Sequence, residues 1–214
     1  MMKRRFATAA ILFAAINLGG CLSLFLPDAA AAKKIYRLSP DLQTSVTVPP
    51  QASVKALTIR IDRPNAPKAL QGYDLSVSPD SKRIAKIANA QWEDVLPVLV
   101  QKAFVFELNA RPDLVGLLPT SGARSAYRAH LTIRNFEAQF DRGEDEAPNV
   151  VIDYLITLSE ASSRDLIGTQ SFHIERRAAS KNVNDIVDSK SAANKALLKE
   201  VSDWMAATLS TQAS

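Results

Sequence analysis

Few side chains in this sequence could do chemistry: one cysteine, two histidines and a short acidic run. Cys21 is the only cysteine, so the chain can form no internal disulfide and can build no thiol metal site or redox pair. His130 and His173 could each serve as a base near neutral pH. However, no nucleophile or carboxylate stands at a spacing that would complete a catalytic set. Their neighbours at two-residue spacing are Thr132 and Arg134, and Thr169, Ser171 and Glu175. This predicts two histidines on a solvated sheet face. Asp141, Glu144, Asp145 and Glu146 could attract a cation, but they lack the alternating ligands and closing glutamate of a calcium loop. They predict a hairpin tip whose charge discourages edge pairing. Arg176, Arg177 and Lys181 form a small basic patch on a connector. Phosphate-loop, zinc-protease and nucleophile-elbow patterns are all missing, and seven glycines yield no dinucleotide fingerprint. The expectation is therefore a protein with no catalytic, cofactor-binding or metal-ligating residues.

The bulk composition agrees with this reading. The 214 residues are 47% hydrophobic and 22% charged, which is ordinary globular composition for about one domain. The net charge of +4 overstates the folded part. Taking Lys3, Arg4 and Arg5 from the 26 basic residues leaves 23 against 22 acids. A chain so close to neutral offers no electrostatic footprint for nucleic acid.

The N-terminus explains those three charges. Met1 to Arg5 is a positive leader and Phe6 to Ile16 an apolar stretch, followed by Leu18-Gly19-Gly20-Cys21. This is the layout of an export signal. The tetrad is similar to a lipobox, which predicts cleavage before Cys21 and acylation of its thiol. Each buried methylene of an acyl chain adds about 0.8 kcal/mol of membrane affinity, so two or more chains hold stably. Leu22 replaces the aspartate that retains some lipoproteins at the inner membrane, which favours the outer one. Two other readings stay open. Cleavage near Ala31, in Ala29-Ala30-Ala31-Ala32, would release a soluble protein, and an uncut apolar stretch would anchor it. The expected organisation is a signal peptide over 1–20, a lipidated tether over 21–34 and a folded domain over 35–210.

Within the domain, alternation predicts strands over Val54–Ile61, around Tyr73, Leu75 and Val77, and less regularly over Arg83–Ile87. Trp92, Val95, Leu96, Leu99, Ala103 and Phe106 recur at helical spacing, predicting a helix over Gln91–Leu108. Pro97 places either an irregular first turn or the true start there. Tyr127, Ala129, Leu131 and Ile133 alternate, and Phe136, Ala138 and Phe140 continue on the other parity. That slip predicts a bulge at Arg134-Asn135. Strands follow from Val150 to Leu158 and from Leu166 to Ile174. A last helix over Asn184–Leu209 carries Ile186, Val187, Leu197, Leu198, Val201, Trp204, Met205 and Leu209 on its apolar stripe. Trp92 and Trp204 are both expected on helices, packed in the core. The fold class is α+β: one domain, with an antiparallel-rich mixed sheet and two helices packed on one face.

Several stretches resemble the ABC-type transport auxiliary lipoprotein family. They are Ile35-Tyr36-Arg37-Leu38-Ser39-Pro40, Ile59-Arg60-Ile61-Asp62-Arg63-Pro64, Asn89-Ala90-Gln91-Trp92-Glu93-Asp94 with Leu96-Pro97, Tyr127 through Ala138, and Leu197 to Trp204. The likeness spans about residues 35 to 209. It implies a non-catalytic lipoprotein subunit of a system with an MCE-domain protein, a permease and an ATPase, moving lipids or other hydrophobic molecules across the envelope. The subunit would face the periplasm and be held at the membrane by lipid on Cys21, with self-association left open. The competing reading is a periplasmic lipid carrier, soluble or tethered, with an apolar pocket around Phe104, Phe136 and Phe172. A hydrolase is the remaining and least supported reading.

Overall fold

The computed structural model describes residues 32–38, 56–80 and 82–212. The signal, Cys21 and most of the tether lie outside them. The strands are β1 (Lys34–Tyr36), β2 (Leu57–Ile61), β3 (Asp74–Ser78), β4 (Ala85–Trp92), β5 (Leu114–Leu117), β6 (Tyr127–Gln139), β7 (Asn149–Glu160) and β8 (Leu166–Arg177). The helices are α1 (Leu96–Asn109) and α2 (Val183–Gln212). All eight strands join one sheet, and the class is α+β as the sequence predicts.

The middle strand is β6. One edge pairs antiparallel with β7 from Tyr127↔Glu160 to Gln139↔Asn149, and β7 pairs antiparallel with β8. The other edge is shared. Its start pairs parallel with β2, Ile59 opposite Tyr127. The chain then runs on beside it, with Ile133 N–H donating to Asn65 O at 2.8 Å. Its end pairs parallel with β3 over only Val77↔Ala138 and Ser78↔Gln139. The short strands extend this side, β5 beside β2 and β4 then β1 beside β3.

The parity slip read from the sequence is a real bulge, since the β6–β7 register shifts between Ile133 and Asn135. It lets Ala129, Leu131 and Ile133 before it, and Phe136 and Ala138 after it, all sit fully buried on one face. Val150, Ile152, Tyr154, Ile156 and Leu158 of β7 join them. Both helices cover that face, with α1 against β5 and β2 and α2 along β7 and β8, and they touch each other. The 30 residues of α2 reach about 45 Å. Its buried line runs Ile186, Val187, Lys190, Ala193, Asn194, Leu197, Leu198, Val201, Met205, Leu209. Spacings of three and four keep these on one face.

Several expectations need correction. Gln91 and Trp92 end strand β4, and α1 begins at Leu96 with Pro97 in its first turn. Proline cannot donate to a preceding carbonyl, so the helix cannot start a full turn earlier. Trp92 is core all the same, 1% exposed and edge-on to Phe136 with centroids 6.4 Å apart. Strands β1 and β5 were not predicted. Tyr73 and Leu166 face solvent, while Ser76 and Ser78 are buried. The latter pair lies where β3 is squeezed between β6 and β4, and the Ser76 carbonyl accepts a hydrogen bond from α2.

Candidate binding groove

The polar side chains that fall on the buried line of α2 define the interior chemistry. Lys190 is completely buried. Its Nζ donates to Ser76 O at 2.8 Å and Phe136 O at 3.0 Å and lies 5.2 Å from the Phe136 ring centroid. It thus ties α2 to the two-residue junction of β3 and β6. Burial holds its amine down to about 7, with the charge of Glu137 acting the other way. Burial likewise raises the Glu137 carboxyl, and the Lys190 charge partly opposes this. One turn on, Asn194 is also fully buried. Its Oδ1 accepts from the Tyr154 hydroxyl at 2.7 Å, and burial pushes that phenol well above 10. The Nδ2 of Asn194 has no protein acceptor.

Asn194 stands in the wall of a groove of about 970 Å³. Helix α1 supplies Ala103, Phe106 and Glu107, α2 supplies Val187, Asp188, Asn194, Lys195 and Leu198, and the β1 segment closes one side with Ile35 to Leu38. That segment pairs with β4 and is tied further by side-chain and backbone contacts. The Tyr36 hydroxyl donates to Asn184 Oδ1 at 3.1 Å, Arg37 pairs with Glu93 at 3.1 Å, and Glu93 N–H donates to Tyr36 O at 2.8 Å. Leu38 is 1% exposed. None of Phe104, Phe136 and Phe172, expected around an apolar pocket, lines this groove. The first two are fully buried and the third nearly so, and Phe172 packs edge-on against Trp204 at 5.7 Å.

The histidines and acids lie elsewhere. Both histidines are on the face of the sheet opposite α1 and α2, as predicted. Carboxylates do reach His173, because β7–β8 pairing sets Asp153 opposite it. Its Nδ1 meets Asp153 at 2.5 Å and its Nε2 meets Glu175 at 3.2 Å. The Asp153 hydrogen bond, with help from Glu175, raises the imidazole above its usual 6.5. In a hydrolase Nε2 would face the nucleophile, but here it is turned to Glu175. His130 meets the Asn65 amide at 3.0 Å. The acidic loop and the basic patch, separate in the sequence, are partners: Arg177 Nη2 donates to Asp141 at 2.7 Å and Lys181 to Asp145 at 3.0 Å. Among the described residues no group of three His, Cys, Asp or Glu is placed to hold a metal ion. Among the same residues, no helix is long and apolar enough to cross a membrane.

A family model, the ABC-type transport auxiliary lipoprotein component, matches residues 36–202. The chain belongs to this family. The match opens at Tyr36 in the groove wall and closes within α2, so it takes in both sides of the groove. Two solved structures share the fold. One is a Xanthomonas campestris protein of the family DUF330, at 15% identity and a TM-score of 0.68, covering 74% of this chain and 88% of that one. The other is an uncharacterized protein, also at 15% identity, with a TM-score of 0.64, covering 81% and 99%. No curated protein matches the sequence.

Proposed function

We propose that the chain is a non-catalytic accessory subunit of an ABC transport system that moves lipids or other hydrophobic molecules across the envelope. In this reading acyl groups on Cys21 hold it against a membrane, the outer one, and the folded domain faces the periplasm. There it docks to the MCE-domain protein that works with the permease and the ATPase. The observation that carries the reading is the family match over residues 36–202, which spans nearly the whole compact unit of residues 33–214. Two features lend support. The leader ends in Leu18-Gly19-Gly20-Cys21, where a lipobox would place the acylated residue. The polar side chains with catalytic potential are engaged in structural pairs, such as His173 between Asp153 and Glu175.

The test is direct binding. The acylated chain, reconstituted in vesicles, is titrated with the purified periplasmic part of the MCE-domain protein from the same cells. Saturable binding at micromolar or tighter affinity is the expected result. No binding up to millimolar partner, with the domain folded, would refute the docking role.

A further inference from the structure

Two short strands, β5 and β1, end the sheet on this side, and they end it differently. At β5 the Asn109 side-chain amide takes up the C=O of Gly116 at 3.3 Å and its N–H at 2.8 Å. At β1, the last strand of its branch, there is no such cover among the described residues. The register fixes which groups are left over. Tyr36 lies opposite Trp92 in a parallel pair, and its carbonyl accepts from Glu93 N–H at 2.8 Å. In a strand the N–H and C=O of one residue point to one side, and those of the next residue to the other. Those of Tyr36 face β4, so those of Ile35 face off the edge. The Ile35 side chain is also 64% exposed.

This open edge borders the groove. The β1 segment forms one wall, and Ala103, Phe106, Val187 and Leu198 make the helix side apolar. Backbone donors and acceptors beside an apolar trough are the two halves of a strand-addition site. Main-chain bonds to the edge supply affinity, and alternate side chains reaching into the trough supply specificity. A hydrocarbon chain fills the trough but offers nothing to the Ile35 N–H and C=O. A helix fares no better, because its own backbone groups are bonded internally. The rim sets the charge. Glu93, Glu107 and Asp188 outnumber Arg37 and Lys195 around the opening, which favours a segment carrying basic residues. We propose that the groove docks an extended segment of a partner protein, apolar at alternate positions and basic between them, which adds as a strand to the free edge of β1. The assignment concerns this surface and the segment it takes. It stands apart from the transport reading, and either can fail while the other holds.

The probe is an acetylated, amidated heptapeptide alternating valine and lysine, titrated against the purified full-length chain. It should bind saturably, and a version with glutamate in place of lysine should bind at least tenfold weaker. An added strand turns one alternate set of its N–H groups to β1 and the other set away. Two further versions are therefore N-methylated, one at its valines and one at its lysines, and one of them should bind at least tenfold weaker than the other. Ile35→Pro deletes the edge-facing N–H, and proline is tolerated on an edge strand whose N–H has no ladder partner. This variant should keep the parent's circular dichroism and melting while binding the heptapeptide at least tenfold weaker. Ala192→Trp, at a half-buried position of the groove wall, should do the same by filling the trough. The N-methylated pair is measured on the unchanged protein, so it decides the matter even if a variant unfolds. Equal binding by the two methylated peptides, by the glutamate version and the parent peptide, or by folded Ile35→Pro and the parent chain would each overturn the proposal. So would no saturable binding of the heptapeptide, whether the groove then takes monooleoylglycerol, a helical peptide or nothing.

Discussion

Lys190 offers a quantitative test of the core. Its amine is completely buried, with a folded value of about 7 against 10.5 in the unfolded chain. Below pH 7 both states carry the proton, and the folded state bears the full desolvation cost. As the pH rises from 7 to 10.5, the folded chain releases a proton that the unfolded chain keeps, so stability climbs. The whole shift is worth roughly 5 kcal/mol, of which about 2 kcal/mol accrues between pH 7 and pH 9. Lys190→Met removes that titration and leaves the carbonyls of Ser76 and Phe136 without their donor, a cost that does not change with pH. Urea denaturation of both proteins at pH 7, 8 and 9 gives the difference, in which all shared titrations cancel. The stability of Lys190→Met relative to the parent should fall by about 2 kcal/mol across that window. Repeating the pair on Glu137→Gln removes the one carboxyl acting on the amine. Parallel pH profiles for parent and variant would refute the claim that this amine is desolvated in the fold.

Four further outcomes follow, three from the same coordinates and one from the leader sequence. Asp153→Asn should bring the His173 imidazole down toward 6.5, read by NMR titration, because the Asp153 hydrogen bond is the main cause of its elevation; the histidine's contribution to stability, present below pH 6.5 and lost as the pH passes the raised folded value, should shrink with it. Gly116→Ala should cost about 1–3 kcal/mol in denaturation, since an added Cβ would stand 3.1 Å from Leu108 Cβ and 3.2 Å from Val105 Cα on the α1 backbone. Gly168→Ala, whose Cβ meets the edge of the half-buried Trp204 ring at 3.3 Å and the Thr208 methyl at 3.8 Å, should stay within about 0.5 kcal/mol of the parent. Finally, Cys21→Ser should move the protein from the membrane to the soluble fraction; a mature N-terminus at Ala32 in the parent would instead show that no thiol tether exists.

The long strands were legible because alternation with one buried face leaves a clear pattern. In β6 even the bulge could be read, since the core-facing parity changes between Ile133 and Phe136. Trp92 misled because a strand end followed by a helix start gave spacings of three and four, and only Pro97 marks where the helix begins. Strand β5 was hidden because four residues, Leu-Val-Gly-Leu, carry too little periodicity. Its partners are β2 and the side-chain amide of Asn109, which exchanges hydrogen bonds with Gly116. Lys190 and Asn194 drew no reading from the sequence. The signal lay in their phase, because positions 190, 193 and 194 fill the gap in the apolar stripe between Val187 and Leu197. Nothing local announced the groove. Tyr36 and Leu38 carried the family likeness, but their place against α2 depends on contacts about 150 residues away, such as Tyr36 with Asn184. The acidic loop and basic patch were each read alone for the same reason, with Asp141 and Arg177 meeting only through the β6–β8 arrangement.

The most direct measurement of the central claim is affinity purification of the tagged chain from native membranes in mild detergent, with quantitative mass spectrometry. An MCE-domain protein, a permease and an ATPase should be enriched together with it, and enrichment should fall sharply for Cys21→Ser. Recovery of the folded, acylated chain with none of the three, even after cross-linking in intact cells, would contradict it.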